Sequence, residues 1–551
     1  MLIRILLAAH LCALLAACSD GNDSFAIVEP LAPLGVAVTL DSGPIEGQAS
    51  NRAVAWEYLG LPFAAPPVGD LRWRAPQPEA PWSELRDAKT LPDFCLQVPY
   101  FESEFAGSED CLYLNVFRPQ TQERDLPVFV WIHGGGNNNG DTGQITSTYD
   151  GARLAERGNM VVVTVQYRLS ALGWLYHPAL QSDDPLDASG NYGTLDLIAA
   201  LEWIQANAPA FGGDPMNVSI VGESAGAANV LTLLISPEAT GLFHKGIVQS
   251  LGGRVNSIDT GIAQSEALVQ SLVEFSGLDD APVSDEDTAA FLRSFDGETI
   301  LSLARTAEIY GDGIVIPEAG FDLFDSGDFA SKVPLILGTN KDEYKLYTNP
   351  LGFNEYPEGS EELREAVGTA LSNAWRVTGA DSLATRLRAI DDMPELYVYR
   401  FNWGSPDASG DSPWPGTFGA TGGAFHSSEI PFMMGNEDRF IFDAFTSILF
   451  TEDNAESRAT MSDIMVTYWS SFAWMSDPNG GNLPIWEPWR NEANGFKAVT
   501  LDVSNLDNSP SIEPDTTVLS EAAVYAEANA RYDGDILTEV LRRLDGWFGN
   551  N

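Results

Sequence analysis

The chain has 551 residues, 44% of them hydrophobic and 20% charged, which supplies a large core and suits one big α/β domain as well as several small ones. Its 30 basic and 78 acidic side chains leave a formal net charge of −48, a field that repels nucleic acid and anionic lipid headgroups and excludes both as partners. The acidic residues run along the whole chain, which points to a solvated, salt-adapted surface rather than a cleft steering cationic substrates.

The first segment, MLIRILLAAHLCALLAACSD, carries Arg4 ahead of an apolar stretch from Ile5 to Ala17. That run is too short for a permanent membrane span and reads as an export signal over residues 1–17. Leu15-Ala16-Ala17-Cys18 resembles a bacterial lipobox, and the resemblance implies cleavage before Cys18 and lipidation of its thiol. Residues 18–33 then form a leash that ties one domain, residues 34–551, to a membrane through the lipid alone. Cleavage without lipidation, giving a secreted protein, is the alternative. Cys12 and Cys18 belong to this region, which leaves Cys95 and Cys111. An exported pair this close in sequence reads as a disulfide, and closing such a loop contributes about 3 kcal/mol. No Cys/His spacing fits a zinc site.

Past the leash, PVFVWIHGGG (Pro127 to Gly136), MVVVTVQYR (Met160 to Arg168) and NVSIVGES (Asn217 to Ser224) are short apolar runs ending in glycine or polar turns. Such runs mark strands buried on both faces. Between the second and third, GTLDLIAALEWIQANAPAF sets Leu195, Ile198, Leu201, Trp203 and Ile204 on one helical stripe. A fourth strand, VPLILGTNKDE (Val333 to Glu343), comes later. Strands alternating with helices predict an α/β fold with a large, mostly parallel sheet and helices on both faces. Residues 260–329 and 355–393 are more acidic and less strand-like, and are expected to form helical excursions that roof the active site. The C-terminal stretch reads as helix on both sides of Asp533-Gly534, with Ile536, Leu537, Val540, Leu541 and Leu544 on its apolar face.

Ligands of such sheets sit at the carboxyl ends of the strands, so Gly134 to Gly136 and Ser224 point at one rim. VGESAGAANV sets Ser224 in a Gly-x-Ser-x-Gly turn between strand and helix, where a nucleophile is held exposed. A serine hydroxyl needs a base. His133, His177, His244 and His426 remain after the signal. An elbow nucleophile is followed by its acid and then its histidine, which excludes the first two, and His244 leaves no strand to carry the acid. His426, in the glycine-rich TGGAFHSSEIPFMMG, is the base that remains. The acid leaves the end of the fourth strand as Asp342 or Glu343, and spacing leaves both open. The one not used is expected to be a solvated loop charge. HGGGNNNG, His133 to Gly140, supplies backbone N–H groups for an oxyanion, joined by that of Ala225 at the helix start.

These segments resemble the type-B carboxylesterase and cholinesterase family of the α/β-hydrolase fold over most of the chain. GLPFAAPPVGDLRWRAPQP, SEDCLYLNVFRP, WIHGGG, VQYRLSALGWL, GNYGTLDLIAALEWIQANAPAFGGDP, VSIVGESAGAANV, GTNKDE, FHSSEIPFMMG and LPIWEPW carry the likeness in the family's order. The resemblance implies Ser224 as nucleophile, His426 as base and Glu343, not Asp342, as acid, with Gly135, Gly136 and Ala225 as oxyanion donors. Cys95 and Cys111 match the family's first disulfide. Glu223 and Ser250 match buried polar positions beside the histidine, and Arg72 with Glu109 and Arg168 with Asp196 match structural ion pairs. Asn137 stands where an aromatic is usual and is expected to open or polarise the site. Tyr344 and Ser427 replace glycines after the acid and the histidine, and Thr194 and Leu197 also depart from the pattern. The implied activity is hydrolysis of small-molecule carboxylic esters through an acyl-enzyme, with no metal or cofactor. A non-catalytic binding member of the fold, or a lipase or amidase with the same triad, are the alternatives.

Overall fold

Strands made of unbroken apolar runs need cover on both faces, and the computed structural model supplies it. It describes residues 34–549 apart from 280, 306, 349–355, 357–358 and 408; the signal and leash, with Cys18, lie outside the described residues. Among the described residues an 11-stranded sheet forms from β1 (Gln48–Ala49), β2 (Ala55–Pro62), β3 (Tyr113–Pro119), β4 (Leu126–Ile132), β5 (Val161–Val165), β6 (Gly213–Glu223), β7 (Lys245–Gln249), β8 (Leu335–Asn340), β9 (Leu396–Phe401), β10 (Ala498–Val503) and β11 (Pro510–Asp515). Their order across the sheet is β11-β10-β9-β8-β7-β6-β4-β5-β3-β2-β1. The inner run from β10 to β5 is parallel throughout. Both flanks are antiparallel.

The longer helices used below are α1 (Tyr192–Asn207), α2 (Ala225–Ile235), α3 (Ile258–Ser276), α4 (Glu361–Arg376), α5 (Ala455–Met475), α6 (Glu521–Arg531) and α7 (Gly534–Phe548). Alternation along β4 explains how they are shared. Val128, Val130 and Ile132 pack with Leu201 of α1 and Leu231 of α2 on one face. Phe129 and Trp131 pack with Met465, Trp469 and Phe472 of α5 on the other. Each such side chain, taken fully out of water, contributes on the order of 1.5–3 kcal/mol.

The four strands read from the sequence are β4, β5, β6 and β8. The strands flanking them show weaker signals for physical reasons. In β9, the run LYVYRF is broken by Arg400, a buried cation paired with the equally buried Asp381. β7 opens on Lys245, which is buried and donates to the Ala473 carbonyl at 2.8 Å.

Of the two expected excursions, the described part of residues 260–329 holds most of α3 and three shorter α-helices, Asp285–Arg293, Gly297–Leu303 and Leu323–Ser326. Their Leu268, Leu272, Leu292 and Ile300 form a satellite core with Trp73 and Leu96. Residues 355–393 hold α4, whose Val367 and Leu371 meet Val540 and Leu544 of α7. Ile536, Leu537 and Leu541 of α7 are only partly buried against that cluster.

Cys95 and Cys111 are joined by a disulfide. Arg168 pairs with Asp196 at 2.7 Å in full burial, and Arg72 with Glu109 at 2.5 Å. The first of these ties the end of β5 to α1, close behind the glycine loop.

Candidate active site

β6 ends at Glu223 and α2 begins at Ala225, so the chain turns at a single residue. Ser224 takes φ 59° and ψ −122°, a conformation that costs a non-glycine residue on the order of 1–3 kcal/mol. The flanking glycines make the turn possible. A Cβ on Gly222 would stand 2.3 Å from the Gly226 carbonyl oxygen, and one on Gly226 would stand 2.2 Å from that of Ile132. The Ala225 N–H is one of the first-turn donors that a helix leaves without an internal partner.

At the end of β4, Gly135 and Gly136 take φ 97° and 65°, which side-chain-bearing residues rarely adopt. A Cβ on Gly135 would meet the Asn139 carbonyl at 2.1 Å. The loop is pinned from behind by Asn137. Its side-chain oxygen accepts from Asn229 at 2.9 Å and its carbonyl accepts from Ser170 N at 2.8 Å. The expectation that Asn137 opens or polarises the site is therefore corrected. Asn137 is buried behind the loop and is not among the residues lining the cavity, whereas its neighbours Asn138 and Asn139 are.

β8 ends at Asn340, and the next turn carries both acidic candidates. Glu343 is fully buried, with Oε2 2.7 Å from His426 Nδ1 and Oε1 accepting from Asn340 N at 2.8 Å. Asp342 is not the solvated loop charge expected of it. It is buried, pairs with Lys345 at 3.0 Å, and accepts from the Ser405 hydroxyl and the Ala424 N–H. It clamps the loop that carries His426 to the end of β8. Burial raises its pKa, but Lys345 and these hydrogen bonds more than offset that and hold it below the usual carboxylate value.

His426 Nε2 is buried without a hydrogen-bond partner and lies 3.2 Å from Glu223 Oε1. It faces the same cavity as Ser224, with no hydrogen bond between the two. Burial opposes its protonation, but Glu223, Glu343 and Glu429 together outweigh burial and lift its pKa to about 9. Glu223 is itself pushed up to about 8, by burial first and then by Glu429 and Glu343, against the lowering effect of His426 and of Ser427. Ser427, one of the departures from the family pattern, donates its hydroxyl to Glu223 Oε1 at 2.6 Å. Ser250 is buried as expected, but its hydroxyl has no hydrogen-bond partner, so it is not bonded to the histidine.

The other three histidines have local structural partners. His133 stacks on Tyr167 at 4.4 Å, His177 accepts from Ala179 N at 3.0 Å, and His244 accepts from Val218 N at 3.2 Å.

Two residues beside His426 were not singled out in the sequence. Glu429 is fully buried and takes hydrogen bonds from Gln249 at 3.1 Å and Asn340 at 2.6 Å. Trp375 of α4 packs its ring 4.5 Å from the imidazole. Glu429 lies one turn past His426 in a segment already quoted for its histidine, whereas Trp375 sits in an acidic helix with no signal pointing to the site.

The cavity over Ser224 has a volume of about 300 Å³. Its walls include Tyr100, Tyr149, Tyr347 and Phe442 together with the glycine loop, and no residue of 260–329 is among them. Neither excursion walls this cavity among the described residues; Phe321 and Phe324 of the first and Trp375 and Leu383 of the second line a neighbouring cavity that shares Tyr347 with it.

This geometry gives meaning to the comparisons with known proteins. The sequence profile described as "Carboxylesterase family" matches residues 35–355 and 347–514. The chain belongs to the carboxylesterase family. It is 35% identical over 471 residues to the fumonisin B1 esterase of Sphingopyxis macrogoltabida, covering 81% of this chain and 83% of that one. It is 34% identical over 432 residues to the para-nitrobenzyl esterase of Bacillus subtilis, covering 73% and 83%. Among solved structures, a carboxylesterase of Geobacillus stearothermophilus superposes with a TM-score of 0.67 at 28% identity, over 87% of this chain and 98% of that one. This carboxylesterase-family chain is a carboxylic-ester hydrolase of the α/β-hydrolase fold.

Proposed function

We propose that the chain cleaves small-molecule carboxylic esters by way of an acyl-enzyme. Ser224 attacks the ester carbonyl while His426 Nε2 accepts its proton, and Glu343 at Nδ1 orients the ring and balances its charge. The N–H groups of Gly135, Gly136 and Ala225 receive the oxyanion. His426 then protonates the leaving alcohol, and water activated by the same ring releases the acid. One observation carries this reading. The strained Ser224 shares its cavity with an imidazole whose Nδ1 is held by a carboxylate and whose Nε2 has no hydrogen-bond partner. A serine–histidine bond of this kind tightens when substrate binds, so the open arrangement suits a resting enzyme. The names of the relatives, a para-nitrobenzyl esterase and a fumonisin B1 esterase, favour an ester over an amide bond. Ser224→Ala should lower kcat/KM for p-nitrophenyl butyrate by at least about 10³-fold. A mutant within tenfold of the wild type rejects the assignment.

We further propose that the enzyme is exported and held at a bacterial membrane by a lipid on Cys18. The lipobox-like Leu15-Ala16-Ala17-Cys18 supports this, as does a Cys95–Cys111 disulfide suited to an oxidising compartment. Cys18→Ser should move the full-length protein from the membrane pellet to the soluble fraction. Equal pelleting of both forms rules the anchor out.

A further inference from the structure

A second cavity, of about 780 Å³, neighbours the glycine loop's cavity and shares Tyr347 as a wall with it. Its floor approaches the nucleophile at Gly252, where an added Cβ would stand 3.4 Å from Ser224 Oγ and 3.5 Å from the Trp375 ring. Gly252 N donates to the Ser224 carbonyl at 3.1 Å, and Trp375 Nε1 donates to the Leu251 carbonyl at 2.8 Å, so this wall is fixed. Phe321, Phe324, Trp375 and Trp547 make the rest largely aromatic. The charged lining is the unusual part. Among the described residues two arginines, Arg254 and Arg386, line this cavity and no carboxylate does, in a chain with 78 acidic and 30 basic residues. Arg386 is committed to Asp325 and to the Phe321 carbonyl. Among the described residues Arg254 makes no ion pair, hydrogen bond or cation–π contact, and it is exposed in the cavity wall two residues beyond Gly252.

The chemistry divides the ester between the two cavities. The leaving oxygen must come within reach of His426 Nε2, and both His426 and the glycine loop line the first cavity. The alcohol half and the carbonyl oxygen therefore belong there, and the acyl chain passes Gly252 into the second. An anionic group at the far end of that chain meets an arginine that is free to form a bidentate pair. We infer that Arg254 selects esters whose acyl part ends in a carboxylate, that is, monoesters of dicarboxylic acids. The inference rests on the ester-hydrolysis reading given above. A long-range field of this sign repels anions, so a preference of this kind needs a local cation.

The test compares p-nitrophenyl hemiadipate with p-nitrophenyl heptanoate on the purified full-length enzyme in detergent. The wild type should favour the hemiadipate in kcat/KM, and Arg254→Gln should lower the hemiadipate-to-heptanoate ratio by about two- to fivefold, the size of an exposed arginine–carboxylate pair. Arg254→Glu should lower it further. Heptanoate turnover with a ratio that neither substitution moves overturns the role of Arg254 and leaves the esterase reading standing. Failure to turn over either ester overturns the reading itself, and this inference with it.

Discussion

Glu223 and Glu343 address opposite nitrogens of one imidazole, at 3.2 Å from Nε2 and 2.7 Å from Nδ1. In the proposed mechanism the neutral ring is the base, and a ring that titrates near 9 is largely protonated at pH 7. Activity should therefore climb through the alkaline range. We expect the acid limb of kcat/KM well above the ordinary histidine value of about 6.5. Glu223→Gln removes one of the carboxylate charges that raise this pKa, so the limb should move to lower pH in that variant. A wild-type limb at 6.5 that the substitution leaves in place would falsify the coupling. The sequence placed Glu223 near the histidine through family likeness, and Ser427 only as a departure. That Ser427 holds Glu223 by a hydrogen bond could not be read there, because the two are remote in the chain and meet only when β6 and the histidine loop come to one rim.

At the scale of elements, the nucleophile turn was the most legible part of the fold. A strand ending in Gly-Glu-Ser-Ala-Gly leaves one residue for the reversal, and both glycines are dictated by backbone contacts rather than by side chains. Gly226→Ala tests this. The new Cβ would meet the carbonyl oxygens of Ile132 and His133 at 2.2 and 2.7 Å, and neither can swing aside as a flexible side chain would. α2 must shift away from β4, which costs on the order of 1–3 kcal/mol in packing and displaces both Ser224 and the Ala225 N–H. The variant should fold with a lowered Tm and lose kcat by at least about 100-fold; retention of wild-type kcat would show that the turn does not need this approach. Less legible were the elements whose burial depends on a remote partner. β9 carries an arginine that the buried Asp381 makes tolerable, and α5, which covers part of one sheet face, mixes Ser and Thr among its apolar residues. Periodicity cannot see either compensation. The two candidate acids illustrate the same limit. Adjacent in sequence and both buried, they differ only in what folds back onto them, the histidine for Glu343 and the Ser405 and Ala424 loops for Asp342.

At the scale of the whole molecule, the net charge of −48 dominates, and little of it beyond the carboxylates around His426 is needed by the chemistry at Ser224. Many surface carboxylates pair with arginine or lysine, as in Arg157 with Asp463 at 2.6 Å and Lys332 with Asp392 at 2.6 Å. With 78 acidic residues against 30 basic ones, most carboxylates must nevertheless face water without a cation. Their mutual repulsion is weaker in an expanded chain, so it acts against folding. Salt shortens the reach of that repulsion to about 10 Å at 0.1 M and about 3 Å at 1 M. Added salt also weakens the exposed ion pairs, but each of those contributes only about 0–1 kcal/mol, and they are outnumbered. The balance favours screening. We expect Tm to rise by several degrees between 10 mM and 0.5 M NaCl at pH 7.5, followed by calorimetry. The gain should shrink as pH falls toward 4.5, where carboxylates begin to take up protons and the charge to be screened declines. Sucrose at equal osmolality separates screening from a general solvent effect, because it leaves the charges unscreened. A rise of the same size in sucrose, or no rise in salt, would mean that the acidic surface sets solubility without governing stability.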